Sequence, residues 1–316
     1  MTLKQPGTYM DRKYDVVALG EAMVEFNQAT QGEPNYRQGF GGDTSNAVIA
    51  ASRQGARTAY LTRVGEDAFG GMLLDLWRAE GVDISAVARD ADAPTGLYFV
   101  THGPDGHAFS YLRAGSAASR MQARTMDLSL IESARWLHVS GISQAISAGA
   151  CDTVFAAIDI ARRAGVKVSF DPNLRLSLWP LARARAVMGA TIGMTDLFMP
   201  SLDEAVALAG TDDVETMFAW CRAQGARSVV LKTGPKGAWY AEEGEPPRLA
   251  EGYPVRAVDA TGAGDCFDGS LLARLAAGDA LGDAVRYANV SAALSTQGHG
   301  AVAPIPSAAQ VRAALA

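Results

Sequence analysis

Short runs of β-branched and apolar residues alternate with longer stretches of helical period along most of the chain, and no other feature of the sequence restricts the fold as tightly. A strand buried on both faces reads as a continuous apolar run. The helix that returns the chain to the next parallel strand carries apolar residues three and four apart. Strands are expected at 16–20, 59–64, 136–140, 166–171, 197–200 and 228–233, and helices at 44–54, 71–80, 152–164, 202–209 and 214–224. Several of these helices end at a glycine suited to a C-cap. The fold class implied is α/β, a three-layer α/β/α sandwich.

Two segments break the alternation. Residues 23–40 and 95–113 hold short alternating runs with Gly and Pro between them and no room for a helix. They are expected to pair as a small β-sheet, a lid above the carboxyl ends of the strands, where open α/β sheets bind ligands. With 316 residues, 48% hydrophobic and 20% charged, the chain can bury a large core, and 1–316 is expected to form a single sandwich that carries the lid. A net charge of −6 gives no electrostatic footing for nucleic acid, and no polybasic segment offers one for a membrane. No stretch reaches the ~18 consecutive apolar residues of a membrane span. Residues 1–14 are polar and read as a loose leader rather than a secretory signal. Cys151, Cys221 and Cys266 are far apart and odd in number, which points to reduced thiols and a cytoplasmic protein.

The most informative stretch is Val258-Asp259-Ala260-Thr261-Gly262-Ala263-Gly264-Asp265, which leads into an Ala- and Leu-rich helical run. Its glycines turn the backbone tightly into a helix start, whose unpaired N–H groups and positive dipole end can hold an anion such as a phosphoryl group. Asp265 in that first turn can take a proton from a hydroxyl beside the phosphate. Near the other end, Gly39-Phe40-Gly41-Gly42-Asp43-Thr44-Ser45-Asn46 enters another helix, with Asp43 or Thr44 as an N-cap candidate. Glycines permit close backbone approach, and an amide offers a polyol both donor and acceptor.

These two stretches, in this order, resemble the signatures of the ribokinase-like (PfkB) carbohydrate kinases. The C-terminal one reads D-T-x-G-A-G-D in that family. Here Asp259 and Gly262 to Asp265 are intact, while Ala260 and Thr261 stand in place of the usual Thr-x pair. Arg63-Val64-Gly65-Glu66-Asp67 and Phe69-Gly70 are similar to the family as well, and the resemblance spans Asp15 to Pro304. It implies a sandwich with a lid and ATP-dependent phosphorylation of a sugar, with Asp265 as base and Gly262, Ala263 and Gly264 around the transferring phosphate. Gly41, Gly42 and Asn46 would approach the sugar. Lys232, Thr233, Gly234 and Gly237 resemble the family's K-x-G-x-x-G turn against the nucleotide, Asn289 a residue beside the adenine, and Gly298 to Ala301 a small closing loop. Glu204 resembles the Glu of an N-x-x-E motif that places Mg²⁺ through water, although Ser201 replaces the Asn. The loops near Asp259 and Gly298 resemble a potassium site.

Which sugar turns on Tyr98, Tyr111, Arg113 and Arg175. Tyr111 and Arg113 lie two apart on one lid strand and so share a face. Arg175 follows Asp171-Pro172-Asn173-Leu174 at the end of an expected strand. A guanidinium pairs with a carboxylate through two parallel hydrogen bonds, which a neutral hexose does not require. The four residues resemble those that hold the carboxylate and keto group in the 2-keto-3-deoxygluconate kinases of the family. Fructokinases share the D-P-N-x-R stretch, so fructose is the alternative, and a catalytically inactive sugar-binding regulator is a third reading that the intact Asp265 opposes. Exposed lid edges imply a homo-oligomer.

Overall fold

The computed structural model describes residues 12–103 and 106–316. The leader reading falls largely on residues 1–11, outside these, but its last residues are not loose. The Arg12 guanidinium donates to the carbonyls of Glu132 and Ala164, and Tyr14 opens the first strand. In chain order the strands are β1 (Tyr14–Leu19), β2 (Met23–Gln28), β3 (Tyr36–Gly41), β4 (Thr58–Leu61), β5 (Arg63–Gly65), β6 (Ala88–Asp90), β7 (Leu97–Gly103), β8 (Gly106–Leu112), β9 (Ala134–Ser140), β10 (Lys167–Asp171), β11 (Leu197–Phe198), β12 (Ser228–Lys232), β13 (Gly237–Ala241) and β14 (Arg248–Glu251). The helices are α1 (Asp43–Arg53), α2 (Ala68–Ala79), α3 (Gly141–Ala145), α4 (Ala148–Arg163), α5 (Leu181–Ile192), α6 (Leu202–Ala209), α7 (Val214–Ala223), α8 (Ala263–Ala277), α9 (Leu281–Ser295) and α10 (Ala308–Leu315).

The main sheet runs β14-β13-β12-β11-β10-β9-β1-β4, parallel from β12 to β4 and antiparallel at β13 and β14. Alternate residues along each strand supply the two faces. Val17, Leu137, Phe170 and Phe198 pack against Val154 and Ile158 of α4, Met188 of α5 and Phe218 of α7. Val16, Trp136, Leu197 and Val230 pack against Phe267 and Leu271 of α8 and Val285 of α9. The expected three-layer sandwich follows directly, because a parallel sheet needs both faces covered.

The two irregular segments form the four-stranded sheet β3-β2-β7-β8, joined through the parallel pair β2 and β7. Residues 104 and 105 at the β7–β8 turn lie outside the described residues. Asp67 pins the lid's second segment to the sandwich. Its carboxylate caps α2 by accepting the Gly70 N–H at 2.7 Å, and it also accepts the N–H and the hydroxyl of Thr95, each at 2.8 Å.

Several expectations shift. The single strand expected at 59–64 is two: after β4, β5 leaves the main sheet to pair with β6. The strand expected at 197–200 shortens to β11, and β13, β14 and α5 go beyond the expectations. Helix α5 buries only Ala184, Met188, Thr191 and Ile192, so its apolar stripe is thin. Among the described residues no helix is long and apolar enough to cross a membrane.

Candidate active site

Helices α1 and α8 lie side by side with both N-termini at the carboxyl ends of the central strands. Gly262, in the left-handed region at φ 75°, turns the chain into α8; a Cβ there would sit 2.8 Å from that of Ala301, so the turn also seats the 298–301 loop. Asp265 falls in the first turn, where its Oδ2 accepts from Nδ2 of the buried Asn46 at 2.8 Å. Burial, and then the negative charge of Asp43, push the Asp265 carboxyl up to about 8; the Asn46 hydrogen bond and the Lys232 cation act the other way. A base of that strength is suited to receiving a proton near neutral pH. Of the N–H groups expected to face the phosphate, that of Ala263 is already donated to the Ala260 carbonyl at 3.1 Å. Among the described residues no backbone carbonyl accepts from Gly264 or Asp265, so these two remain for an anion.

On the sugar side, a Cβ at Gly41 would lie 2.4 Å from the Tyr98 hydroxyl, and one at Gly42, where φ is 115°, would lie 2.4 Å from the Glu21 carbonyl. Gly42 itself is the N-cap of α1, so neither Asp43 nor Thr44 caps it as expected. Asp43 is instead its first residue, accepting the Thr44 N–H at 2.8 Å and Nδ2 of Asn173 at 3.0 Å. Tyr98 is buried, donates its hydroxyl to Glu25 and stacks on the exposed Tyr111 with ring centroids 5.9 Å apart.

Two of the arginine and lysine expectations need correction. Arg113 does not stand free to clamp a carboxylate. Its guanidinium forms a buried ion pair with Glu21, which also accepts the Ser116 hydroxyl at 3.1 Å. Glu21 is 1% exposed, and a carboxylate so placed needs a cation. Arg175, by contrast, is half exposed, donates to its own neighbour's carbonyl at Leu174 and lies 3.9 Å from Glu204, which leaves most of its five donors available. Lys232 does not point at a nucleotide either. It is mostly buried, with Nζ 3.1 Å from Asp171 Oδ2 and 3.1 Å from both oxygens of Asp268.

The remaining nucleotide-side residues divide by how their groups are spent. Thr233 donates both its N–H and its hydroxyl to the Gly237 carbonyl at 2.8 Å, closing the turn. Gly234 sits at φ 61° with open space where a side chain would be, while a Cβ at Gly237 would strike the Ala250 carbonyl at 2.1 Å. Asn289 was expected beside the adenine, but its amide donates to the carbonyls of Ala250 and Glu251 at 3.0 and 3.1 Å and so fastens β14 to α9. Glu204 accepts the N–H of Ser201 and of Leu174, each at 2.9 Å, and burial raises its pKa. Ser201 in the place of the family's Asn thus forms a capping box with it. Asp259 accepts the N–H of Thr261 and of Gly300, each at 2.9 Å, and holds the loops at 259 and 300 together. Among the described residues no group of three or more His, Cys, Asp or Glu converges on a metal position.

Glu21, Glu25, Asp43, Asn173 and Asp268 also meet the site; Asp43 was expected only as a cap, and no site role was read from the sequence for the other four. Asp268 left a trace, a charged residue three places after Asp265 inside an otherwise apolar helical run.

An α/β/α sandwich with a β lid beside a helix N-terminus that bears a high-pKa carboxyl is suited to phosphoryl transfer: an anion can rest on the backbone N–H groups while the carboxyl takes the proton of an acceptor hydroxyl. The chain belongs to the pfkB family of carbohydrate kinases, whose model matches residues 13–308. It is 34% identical over 305 residues to the 2-dehydro-3-deoxygluconokinase of Bacillus subtilis (strain 168), covering 93% of each chain. It is also 34% identical over 317 residues to fructokinase-1 of Zea mays, covering 94% of this chain and 96% of that one. A crystal structure of a double mutant of Vibrio cholerae O395 fructokinase, with fructose, ADP and potassium bound, superposes with a TM-score of 0.86 at 31% identity, covering 97% of this chain and 99% of the other.

Proposed function

We propose that the chain transfers the γ-phosphoryl group of ATP to the terminal hydroxyl of 2-keto-3-deoxygluconate (2-dehydro-3-deoxygluconate), giving 2-keto-3-deoxy-6-phosphogluconate. The observation that carries the reading is Asp265: a carboxyl raised to about 8, in the first turn of a helix with two unspent N–H groups beside it. Asp265 takes the proton of the attacking hydroxyl, and the Gly264 and Asp265 N–H groups offset the charge of the group in transit. Gly41, Gly42 and Asn46 line the sugar, and Tyr98 and Tyr111 cover it from the lid. Gly262 and Ala263 shape the turn under the phosphate. Thr233, Gly234 and Gly237 lie along the nucleotide, with Lys232 and Asn289 acting from behind the wall rather than on the ligand. Mg²⁺, when bound with ATP, would supply charge neutralisation at the transferring phosphate. Glu204 fits a role through water only, since both of its oxygens already accept backbone N–H groups. Potassium belongs with the loops that Asp259 joins, and a cytoplasmic homo-oligomer completes the reading.

The substrate class rests on Arg175, half exposed and paired only loosely, at 3.9 Å, with Glu204, which leaves donors for a sugar carboxylate. Phosphorylation of fructose is the second reading, favoured by one observation: Arg113 is neutralised by Glu21, which leaves Arg175, loosely paired with Glu204, as the one arginine of the expected pair with donors to spare. The test is ATP- and Mg²⁺-dependent turnover on 2-keto-3-deoxygluconate, 2-keto-3-deoxygalactonate, fructose and ribose, with wild type and Arg175→Ala compared. Preference for the acid sugars that falls at least about tenfold in the variant is expected, the worth of one charge-assisted pair. Preference for fructose, unaltered in the variant, would retain the kinase and reject the acid sugar.

A further inference from the structure

We infer that Lys232 and Asp268 are positioning residues for the phosphoryl transfer, holding the N-terminal turn of α8 in register with α1 and supplying the cation that balances the aspartates around Asp265. The inference rests on the proposed role of Asp265 and adds a requirement to it. Helices α1 and α8 cross in backbone contact: a Cβ at Gly269 would lie 2.0 Å from the Ala47 carbonyl. At the crossing itself only the Ala50 methyl group packs against Gly269, a contact too small to fix the rotation of one helix on the other by itself. A polar chain does so at their N-terminal ends. From Asp265 on α8 it passes to Asn46 on α1 at 2.8 Å. It resumes at Asp43 on α1, reaching Asn173 at 3.0 Å, whose N–H is donated to Asp171 Oδ1 at 3.1 Å. Asp171 then holds Lys232, and Lys232 returns to α8 at Asp268, one turn beyond Asp265. Asn173 adopts φ 33°, a left-handed conformation unusual outside glycine, which places its N–H and its amide on these two different partners.

The charges show why a cation belongs here. Facing Asp265 are Asp43 from α1, Asp171 from β10, Lys232 from β12 and the Tyr98 hydroxyl from the lid, with Asp268 a turn along its own helix. His138 of β9 and Glu204 of α6 lie behind this group, each acting on both Asp171 and Lys232. Lys232 is thus the cation among four aspartates. Its Nζ lies 3.1 Å from three carboxyl oxygens, one on Asp171 and two on Asp268, whose pKa burial pushes up, and the position of a Gly264 Cβ lies only 3.7 Å from the same Nζ, so the lysine backs the turn that carries the base.

The experiment is the pH profile of kcat/KM, with the preferred sugar, for wild type, Asp265→Asn, Lys232→Met, Lys232→Arg and Asp268→Asn, alongside Tm for each. Removing the cation makes the Asp265 anion harder to form, so Lys232→Met moves the acid limb to higher pH by about one unit, and plateau kcat falls about 10- to 100-fold with the sugar KM little changed. Lys232→Arg keeps the limb near its wild-type position. Asp268→Asn leaves the cation in place, so its limb stays at or below the wild-type pH while its kcat falls through misplacement of the turn. An unmoved limb in Lys232→Met, or an upward move of equal size in Asp268→Asn, overturns the inference. Should Lys232→Met fail to fold, an upward move or an undiminished kcat in Asp268→Asn overturns it alone. If Asp265→Asn retains the wild-type limb and turnover, it is the role of Asp265 that fails, and the two failures are told apart.

Discussion

Asp265 is costly to the fold in the state that serves chemistry. Because burial raises its folded-state pKa to about 8, folding favours the protonated form. That stability is present in full below the ordinary carboxylate pKa and is lost as the pH rises through about 8. Asp265→Asn cannot ionise, so its Tm should gain on wild type progressively between about pH 4 and 8, a trend that thermal melts across that range would check. A gap independent of pH would mean that the carboxyl titrates as an exposed one. Arg113 makes a second prediction at this scale. Arg113→Ala strands the Glu21 carboxylate in a buried site and should cost about 3–5 kcal/mol in denaturant unfolding, while Arg113→Ala with Glu21→Gln recovers a large part of it. Asp265 was legible in the sequence because a Gly-rich turn and a helix start are local. The spending of Lys232 was not, since its partners Asp171 and Asp268 lie 61 and 36 residues away.

At the scale of elements, the close approaches of glycine decide how the lid meets the sandwich. Gly41→Ala places a methyl group on the Tyr98 hydroxyl and should displace that ring from Glu25, raising KM for the sugar more than it lowers kcat. Gly42→Ala adds left-handed strain to a clash with backbone and should cost about 1–3 kcal/mol by denaturant unfolding. Parallel strands and amphipathic helices were readable from period alone, and the lid segments from their want of helical period. The antiparallel strands β13 and β14 were hidden because the stretch from Gly237 to Glu251 carries short, mixed runs. Residue-level reading also missed that Asn289 fastens this edge, as only the fold brings α9 beside β14.

Across the whole molecule, three separated stretches of chain converge: α1 from the first quarter, the 171–175 turn from the middle and α8 from the last. Each brings polar groups to the carboxyl end of the sheet, where the topology leaves a crevice. Identity of 34% to both a 2-dehydro-3-deoxygluconokinase and a fructokinase means that the common scaffold does not by itself select the sugar, which is why the proposal places the choice on single side chains such as Arg175. If Asp265 is the base of this kinase, Asp265→Asn loses turnover and keeps the sugar; the comparison with wild type is ATP-dependent phosphorylation of 2-keto-3-deoxygluconate, with sugar binding followed by calorimetry. Turnover should fall by about 10²–10⁴-fold while sugar affinity stays within a few-fold of wild type. Turnover near the wild-type rate would contradict the assignment of the base.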